Sequence, residues 1–198
     1  KYSLRVMQPI EYCRHPLFDP YLMSVYDGKE SWVGDPRRFN WDSLRGKHLL
    51  AHNRGFDETA LIEMMSRGWI PEFNYSQFTC TSQMSSYVWG VDSLNDACYE
   101  AFGERLKKEV RESADGRQWK DYNEADRDAM LKYADMDAIM CWRLYNEHGH
   151  KWPSWEQRLA DISIRQGRHG VHIDKEELER QEMLTFDALK ATEKKLPW

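Results

Sequence analysis

Two pairs of polar residues have types and spacings that could build a site from acidic and hydrogen-bonding groups. Asn53 and Asp57 lie four residues apart, where a short apolar run gives way to a predicted helix. Tyr133 and Asp137 have the same spacing within a longer predicted helix. Residues four apart on a helix share a face, so the hydroxyl of Tyr133 can reach the same space as the carboxylate of Asp137.

Asp137 stands in the middle of an otherwise apolar helix face. A carboxylate on a buried face is costly unless it meets a hydrogen-bond donor, a cation or a metal ion. The alternative is an aspartate hydrogen-bonded to a neighbouring loop, and for Asp137 alone we prefer this alternative. The face is defined by i, i+3 and i+4 spacing and comprises Met130, Tyr133, Ala134, Asp137, Met140, Cys141 and Leu144.

Asp57 is predicted to lie on the inward side of its helix, with Ala60, Leu61 and Met64. Here too a carboxylate points towards the core. The alternative is that Asn53 caps the helix and Asp57 interacts favourably with the positive N-terminal end. For this pair alone we also prefer the alternative.

The elements that must position these residues are strands followed by helices. Asp27-Gly28 predicts a hairpin turn, and the apolar run 48–53 predicts a buried strand of a sheet covered on both faces. Residues 103–122 are highly charged and predict an exposed segment. The predicted strands are 21–26, 31–33 and 48–53. The predicted helices are 56–67, 94–102, 124–147, 154–166 and one that begins at Lys175 after an extended stretch 167–174. Gly68 is predicted to stop the first helix, Ser93 to cap the second, and Asn123 and Gly149 to bound the third. This order favours a mixed α/β fold with helices packed on a sheet.

The size and charge of the chain narrow the function classes. Its 198 residues suffice for one well-packed domain and a short addition. The formal net charge of −5 argues against a protein that simply coats nucleic acid, and it suits a site built from carboxylates. The four cysteines match no zinc template and are expected to be reduced, buried thiols. No apolar run or leader pattern points to a membrane, so a cytoplasmic location is expected.

Taken together, the two motifs resemble those of a known enzyme class. Asn-x-x-x-Asp at a strand–helix junction, followed about eighty residues later by Tyr-x-x-x-Asp in a long helix, resembles motifs two and three of the DEDD-type 3′–5′ exonucleases, and the tyrosine is typical of the DEDDy subclass. Residues 50–57, LAHNRGFD, and 133–138, YADMDA, carry the resemblance. Residues 161–174 resemble the passage from the proofreading exonuclease domain into the polymerase region of phage and bacterial A-type, polymerase I-like DNA polymerases. The resemblance covers roughly residues 1–175.

The resemblance implies a ribonuclease-H-like exonuclease fold, with a mixed sheet flanked by helices and then a helical linker. It implies an exonuclease-like domain over residues 1–150, and a linker with the start of a polymerase region over 151–198. The partners implied are the 3′ end of single-stranded DNA or a primer terminus, and the remainder of a polymerase chain.

The resemblance also implies roles for individual residues. Two Mg²⁺ or Mn²⁺ ions would clamp the scissile phosphate, with Asp137 ligating one ion and Asp57 holding the second. Tyr133 would orient the attacking water. The substrate-binding residues would be Asn53, His52 and Phe56. His52 would frame the 3′-terminal nucleotide. Phe56 could stack on a base, but we prefer the alternative that it packs in the core.

The first motif of this class, Asp-x-Glu, is not found where it is expected. The chain contains it only as Asp174-Lys175-Glu176, at a predicted helix start. We therefore expect the first strand and its two carboxylates to precede Lys1, the chain being a fragment of a longer protein cut at both ends; the alternative is a degenerated site. Without those carboxylates we expect weak metal binding and no metal-dependent exonuclease activity from this chain alone.

Two other functions compete with a proofreading domain. One is a free-standing exonuclease that acts on RNA 3′ ends, similar to ribonuclease D, and the polymerase-like segment 161–174 argues against it. The other is a non-catalytic domain that braces a polymerase. The presence of Asp57, Tyr133 and Asp137 together argues against that reading.

Overall fold

The chain folds as a mixed α/β protein. The computed structural model describes residues 2–106 and 118–194, so most of the charged segment predicted at 103–122 lies outside the described residues. The described strands are β1 (Met23–Tyr26), β2 (Ser31–Gly34), β3 (His48–Ala51) and β4 (Gln77–Cys80). The described α-helices are α1 (Pro9–Arg14), α2 (Arg54–Ser66), α3 (Thr81–Trp89), α4 (Leu94–Phe102), α5 (Glu124–His148), α6 (Ser154–His169) and α7 (Lys175–Glu193).

The strands β1 and β2 form the predicted antiparallel hairpin. Asp27 closes its turn, since its Oδ1 accepts hydrogen bonds of 2.8 Å from the backbone N–H groups of Lys29 and Glu30. Gly28 has φ +96°, and a Cβ at this position would lie 2.9 Å from the ring of Trp142 on α5. Glycine is therefore required at this position for two reasons, the left-handed backbone conformation and the close approach of α5.

The strands β3 and β4 are parallel and α2 connects them. In place of one mixed sheet, the described residues form two separate two-stranded sheets. The prediction of a buried β3 was wrong: His48 is exposed and the other three residues are half-buried, because β4 is its one paired neighbour among the described residues. Strand β4 was not among the predicted strands.

The ends of three helices follow the predicted local signals. The side chain of Ser93 accepts a hydrogen bond from the Asp96 N–H and begins α4. The Asn123 side chain accepts one from the Asp126 N–H and begins α5. The helix α2 ends one residue before the predicted position, and the N–H of Gly68 then donates to the Met65 carbonyl.

The predicted end of α6 was wrong. The helix passes through Gly167 and ends at His169, and Gly170 takes the left-handed conformation with φ +70°. A glycine inside a helix costs only about 1 kcal/mol, so Gly167 does not by itself end one. Asp174 then caps α7 by accepting a hydrogen bond from the Glu177 N–H, which gives the chain's Asp-x-Glu sequence a helix-capping role.

Contacts divide the chain into two compact units, Lys1–Arg168 and His169–Trp198. All of α6 except its last residue lies in the first of these units. None of the helices within residues 2–106 and 118–194 combines the length and apolar character needed to span a bilayer.

The first unit contains two clusters of buried side chains. One joins α3, α4, α5 and α6 and contains Met84, Ala97, Cys98, Met140, Leu144, Trp152 and Ala160. The other joins the N-terminal segment to α2 and contains Cys13, Phe18, Trp41, Met64, Ile70 and Phe73. On the predicted apolar face of α5, Met140, Cys141 and Leu144 are buried. The other four residues of this face, Met130, Tyr133, Ala134 and Asp137, are half-buried. All four cysteines are buried and free, as predicted.

Leu144 is expected to be one of the residues on which the stability of the first unit depends most. Its side chain is fully buried, so Leu144→Ala should lower the free energy of unfolding by about 2–5 kcal/mol through lost transfer energy and a cavity. Urea denaturation followed by circular dichroism measures this change. Met136→Ala, on an exposed side of the same helix, is the control and should change stability by about 0.5 kcal/mol or less. Equal effects of the two variants would contradict the assignment of this core.

Candidate functional site

Asp57 lies in the first turn of α2 and is half-buried. Burial raises the pKa of its carboxyl to about 7, and a backbone hydrogen bond from Asn53 acts in the opposite direction without cancelling this rise. A carboxylate stabilised mainly by the positive end of a helix would have a lowered pKa. At Asp57 the effect of burial on the pKa is larger than that of the hydrogen bond from the helix N-cap residue.

Asn53 occupies the N-cap position of α2, but its side chain makes no capping hydrogen bond. The carbonyl of Asn53 accepts bonds of 3.0 and 3.1 Å from the N–H groups of Phe56 and Asp57. The residue is exposed. The explanation that its side chain caps the helix was wrong, and its amide lies where a ligand could reach it.

Tyr133 and Asp137 lie one turn apart on α5 and are both half-buried. Cys141 follows one further turn along and is buried. Burial is the largest of the effects that together raise the pKa of the Cys141 thiol to about 12, and the negative charges of Asp57 and Asp137 act in the same direction. The charges of two carboxylates from distant sequence segments therefore both raise the pKa of this thiol.

His52 lies at the end of β3, where both nitrogens of its ring have protein partners. The Nδ1 atom lies 3.0 Å from the Thr81 hydroxyl, and Nε2 lies 2.9 Å from the carbonyl oxygen of Asp92. Burial lowers the pKa of His52, so the neutral ring is favoured. Both ring nitrogens thus have hydrogen-bond partners within the protein. The expected contact between His52 and a terminal nucleotide stays a prediction.

Phe56 packs against the second buried cluster, with its ring centroid 6.2 Å from that of Tyr12. This contact is the core packing that we preferred for Phe56 over stacking on a base. Phe56 keeps part of its surface in contact with solvent, and its role in substrate binding stays a prediction.

The two aspartates are too few to hold a divalent ion by themselves. Mg²⁺ requires a nearly octahedral set of oxygen ligands. Within residues 2–106 and 118–194, no group of three or more His, Cys, Asp or Glu side chains could hold a metal ion. The described side chains therefore supply part of the donor set that the resemblance implies, and no metal-dependent step follows from them alone.

A buried ionic network that was not predicted lies beside Asp57. Arg54, the first residue of α2, donates from Nε to Glu58 at 3.0 Å and from Nη1 to Asp161 on α6 at 2.7 Å. Glu58 also accepts a 2.6 Å hydrogen bond from the Tyr75 hydroxyl and lies 3.1 Å from Nη1 of Arg168. These contacts attach α6 to the helix that carries Asp57.

One local signal could have pointed to part of this network. Arg54 and Glu58 are oppositely charged and four residues apart, which is the spacing of a helical ion pair. The same pattern is ordinary on solvent-exposed helix faces, so it does not reveal burial. The partners on α6 are distant in sequence and have no local signal.

Comparisons with protein-family models, with curated proteins and with solved structures found no match for the chain. A hypothesis about its function therefore rests on the motif resemblance and on the geometry around Cys141.

Proposed function

We propose that this chain is the 3′–5′ exonuclease-type domain of a DNA polymerase of the A-type, with Asp57 and Asp137 as two of the carboxylates of its site. The observation that carries the proposal is that the Thr81 hydroxyl contacts both His52, the residue before Asn53, at 3.0 Å and Cys141, one helical turn after Asp137, at 3.2 Å. Two segments that resemble motifs of one enzyme class are thus connected through one buried hydroxyl, which supports the proposal.

The environment of Asp57 supports a functional rather than a structural role. Burial holds its pKa near 7, so the ionised form is poorly stabilised by the protein itself. Perturbed carboxyl groups of this kind concentrate at functional sites. A positively charged ligand beside Asp57 would stabilise the ionised form and provide the missing compensation.

The neighbouring polar groups suit recognition of a nucleotide end. The exposed amide of Asn53 can donate to and accept from a sugar hydroxyl or a base. The hydroxyl of Tyr133, one turn before Asp137, can orient a water molecule or a 3′-hydroxyl near the carboxylate. Mg²⁺ or Mn²⁺ would supply charge neutralisation and activation of water in the complete site, with further oxygen ligands beyond Asp57 and Asp137.

We expect the purified chain to bind single-stranded DNA through its 3′ end. In fluorescence anisotropy with Mn²⁺ present, a short 5′-labelled oligonucleotide should be displaced by linear DNA about tenfold better than by circular single-stranded DNA, a difference of about 1.4 kcal/mol. Asp137→Asn and Asp57→Asn should remove the part of the affinity that depends on Mn²⁺. Asp128→Asn, exposed on the same helix as Asp137, is the control and should leave that part unchanged.

The same titration separates the competing functions. Equal displacement by linear and circular DNA would contradict recognition of an end and favour a non-catalytic bracing domain. Tighter binding of an RNA 3′ end than of a DNA 3′ end would favour an exonuclease similar to ribonuclease D. Metal-dependent binding that survives both Asp57→Asn and Asp137→Asn would show that the site lies elsewhere.

A further inference from the structure

Hydrogen-bonding rules give a direction to the contacts around His52. The carbonyl oxygen of Asp92 can only accept, so the Nε2 atom of His52, 2.9 Å away, must carry the proton. In a neutral ring Nδ1 is then an acceptor, and the Thr81 hydroxyl at 3.0 Å must donate to it. With its proton used in this way, the Thr81 oxygen accepts from the Cys141 thiol at 3.2 Å.

The resulting chain of hydrogen bonds runs from the Cys141 thiol through Thr81 and His52 to the Asp92 carbonyl. It joins α5, the first residue of α3, the end of β3 and the loop that precedes α4. A second thiol strengthens the junction, since Cys80 donates to the carbonyl oxygen of His52 at 3.7 Å. Thr81 is fully buried, so solvent cannot replace its partners.

The hydrogen-bond chain lies next to both parts of the candidate site. At one end His52 is followed by Asn53 and the first turn of α2, which carries Asp57. At the other end Cys141 lies one helical turn after Asp137. The hydrogen bonds therefore connect the junction that precedes Asp57 with the helix that carries Asp137.

We propose that His52, Thr81 and Cys141 are positioning residues, whose directed hydrogen-bond chain holds the β3–α2 junction against α5 and fixes the spacing of Asp57 and Asp137. This inference rests on the proposed function for the meaning of that spacing. His52 then influences a bound 3′ end through the protein, rather than by donating to the nucleotide from its ring nitrogens.

Nuclear magnetic resonance of the histidine side chains tests the direction of the chain without any ligand. Long-range ¹H–¹⁵N spectra of the full chain at neutral pH should show His52 as the Nε2–H tautomer with a hydrogen-bonded Nδ1. Thr81→Val removes the donor and should move the Nδ1 resonance to that of an acceptor without a hydrogen bond, whereas Thr81→Ser should restore it. An Nδ1–H tautomer in the wild-type protein would overturn the proposed direction.

Oligonucleotide affinity tests the positioning role. Thr81→Val and Cys141→Ala should weaken 3′-end binding about three- to tenfold, the effect of one hydrogen bond, and Thr81→Ser and Cys141→Ser should recover most of it. The matched control is Ser82→Ala, because the Ser82 hydroxyl donates to the same Asp92 carbonyl at 2.9 Å without belonging to the chain. Variants at Thr81 and Cys141 that bind as tightly as the control would overturn the positioning role.

Amide hydrogen exchange keeps the two proposals distinguishable. A wild-type protein that shows no preference for a 3′ end contradicts the proposed function but still permits a test of the hydrogen-bond chain. In that case, faster exchange of the first-turn amides of α2 in both Thr81→Val and Cys141→Ala supports the chain as the element that holds the junction. Unchanged exchange in both variants overturns it.

Discussion

Replacement of Glu58 by alanine is expected to lower the free energy of unfolding by about 3–5 kcal/mol, because it leaves buried positive charge without a partner. Glu58 and Arg54 are both buried. Glu58 contacts Arg54, Arg168 and the Tyr75 hydroxyl within 3.1 Å. Its removal therefore also leaves the Tyr75 hydroxyl without its acceptor. Urea denaturation of wild type and variant at neutral pH measures the loss.

The pH dependence of Glu58 provides an independent check. Burial raises its pKa, but the hydrogen bonds from Tyr75 and Arg54 and the nearby positive charges outweigh this effect and hold the pKa below its ordinary value. A carboxyl group with a lowered folded-state pKa stabilises the protein above its unfolded-state pKa. This stabilisation should disappear as the pH falls through the lowered folded-state pKa, so the difference between wild type and Glu58→Ala should shrink in acid.

Asp42 offers a matched control for the loss of an acidic partner. It pairs with Arg45 at 2.7 Å, but both side chains are largely exposed. Asp42→Ala should lower stability by less than about 1 kcal/mol, as is typical of surface ion pairs. Comparable losses at Glu58 and Asp42 would mean that solvent compensates the charges in the α2–α6 network as well.

The opposite sign is expected at Asp57, where Asp57→Asn should stabilise the protein at neutral pH. The folded-state pKa is raised from 3.8 to about 7 by burial. A carboxyl group with a raised pKa stabilises the fold only while it is protonated, and this contribution is lost as the pH rises from about 4 through about 7. The whole pKa difference corresponds to at most about 4 kcal/mol, and partial solvent contact of Asp57 reduces it.

The test is the difference in unfolding free energy between Asp57→Asn and wild type as a function of pH. This difference should be near zero at acidic pH and should increase towards neutral pH, since asparagine cannot ionise. Asp128→Asn, exposed on α5, should show no comparable increase. A variant that is destabilised at neutral pH would mean that the ionised carboxylate is well compensated, which would remove one support for a ligand site at Asp57.

Local signals in the sequence predicted the local features of the fold. The turn at Asp27-Gly28 and the caps Ser93 and Asn123 were correct because each depends on residues within three positions. Asn53 was misjudged as a side-chain cap, because residue preference at a helix start does not show where that side chain points. Gly167 was misjudged because a helix tolerates one glycine and Gly170 provides the turn.

The contacts that build the candidate site were largely hidden from sequence reasoning. Arg54 and Asp161 are 107 positions apart, and Thr81 and Cys141 are 60 apart. No short-range pattern joins such residues, and each of them has an ordinary explanation on its own element. The resemblance predicted that Asp57 and Asp137 act as a pair, whereas the contact between the Thr81 hydroxyl and the Cys141 thiol became evident only from the packing of α5 against α3 and β3.

The two separate sheets have a consequence for how the first unit unfolds. A two-stranded sheet has little stability of its own, yet both β1–β2 and β3–β4 are present, and α5 packs against strands of each. The long helix is thus the common support of two sheets that share no hydrogen bonds among the described residues. Loss of α5 would release both at once, so residues that appear to belong to distinct substructures should exchange their amide protons as one cooperative unit.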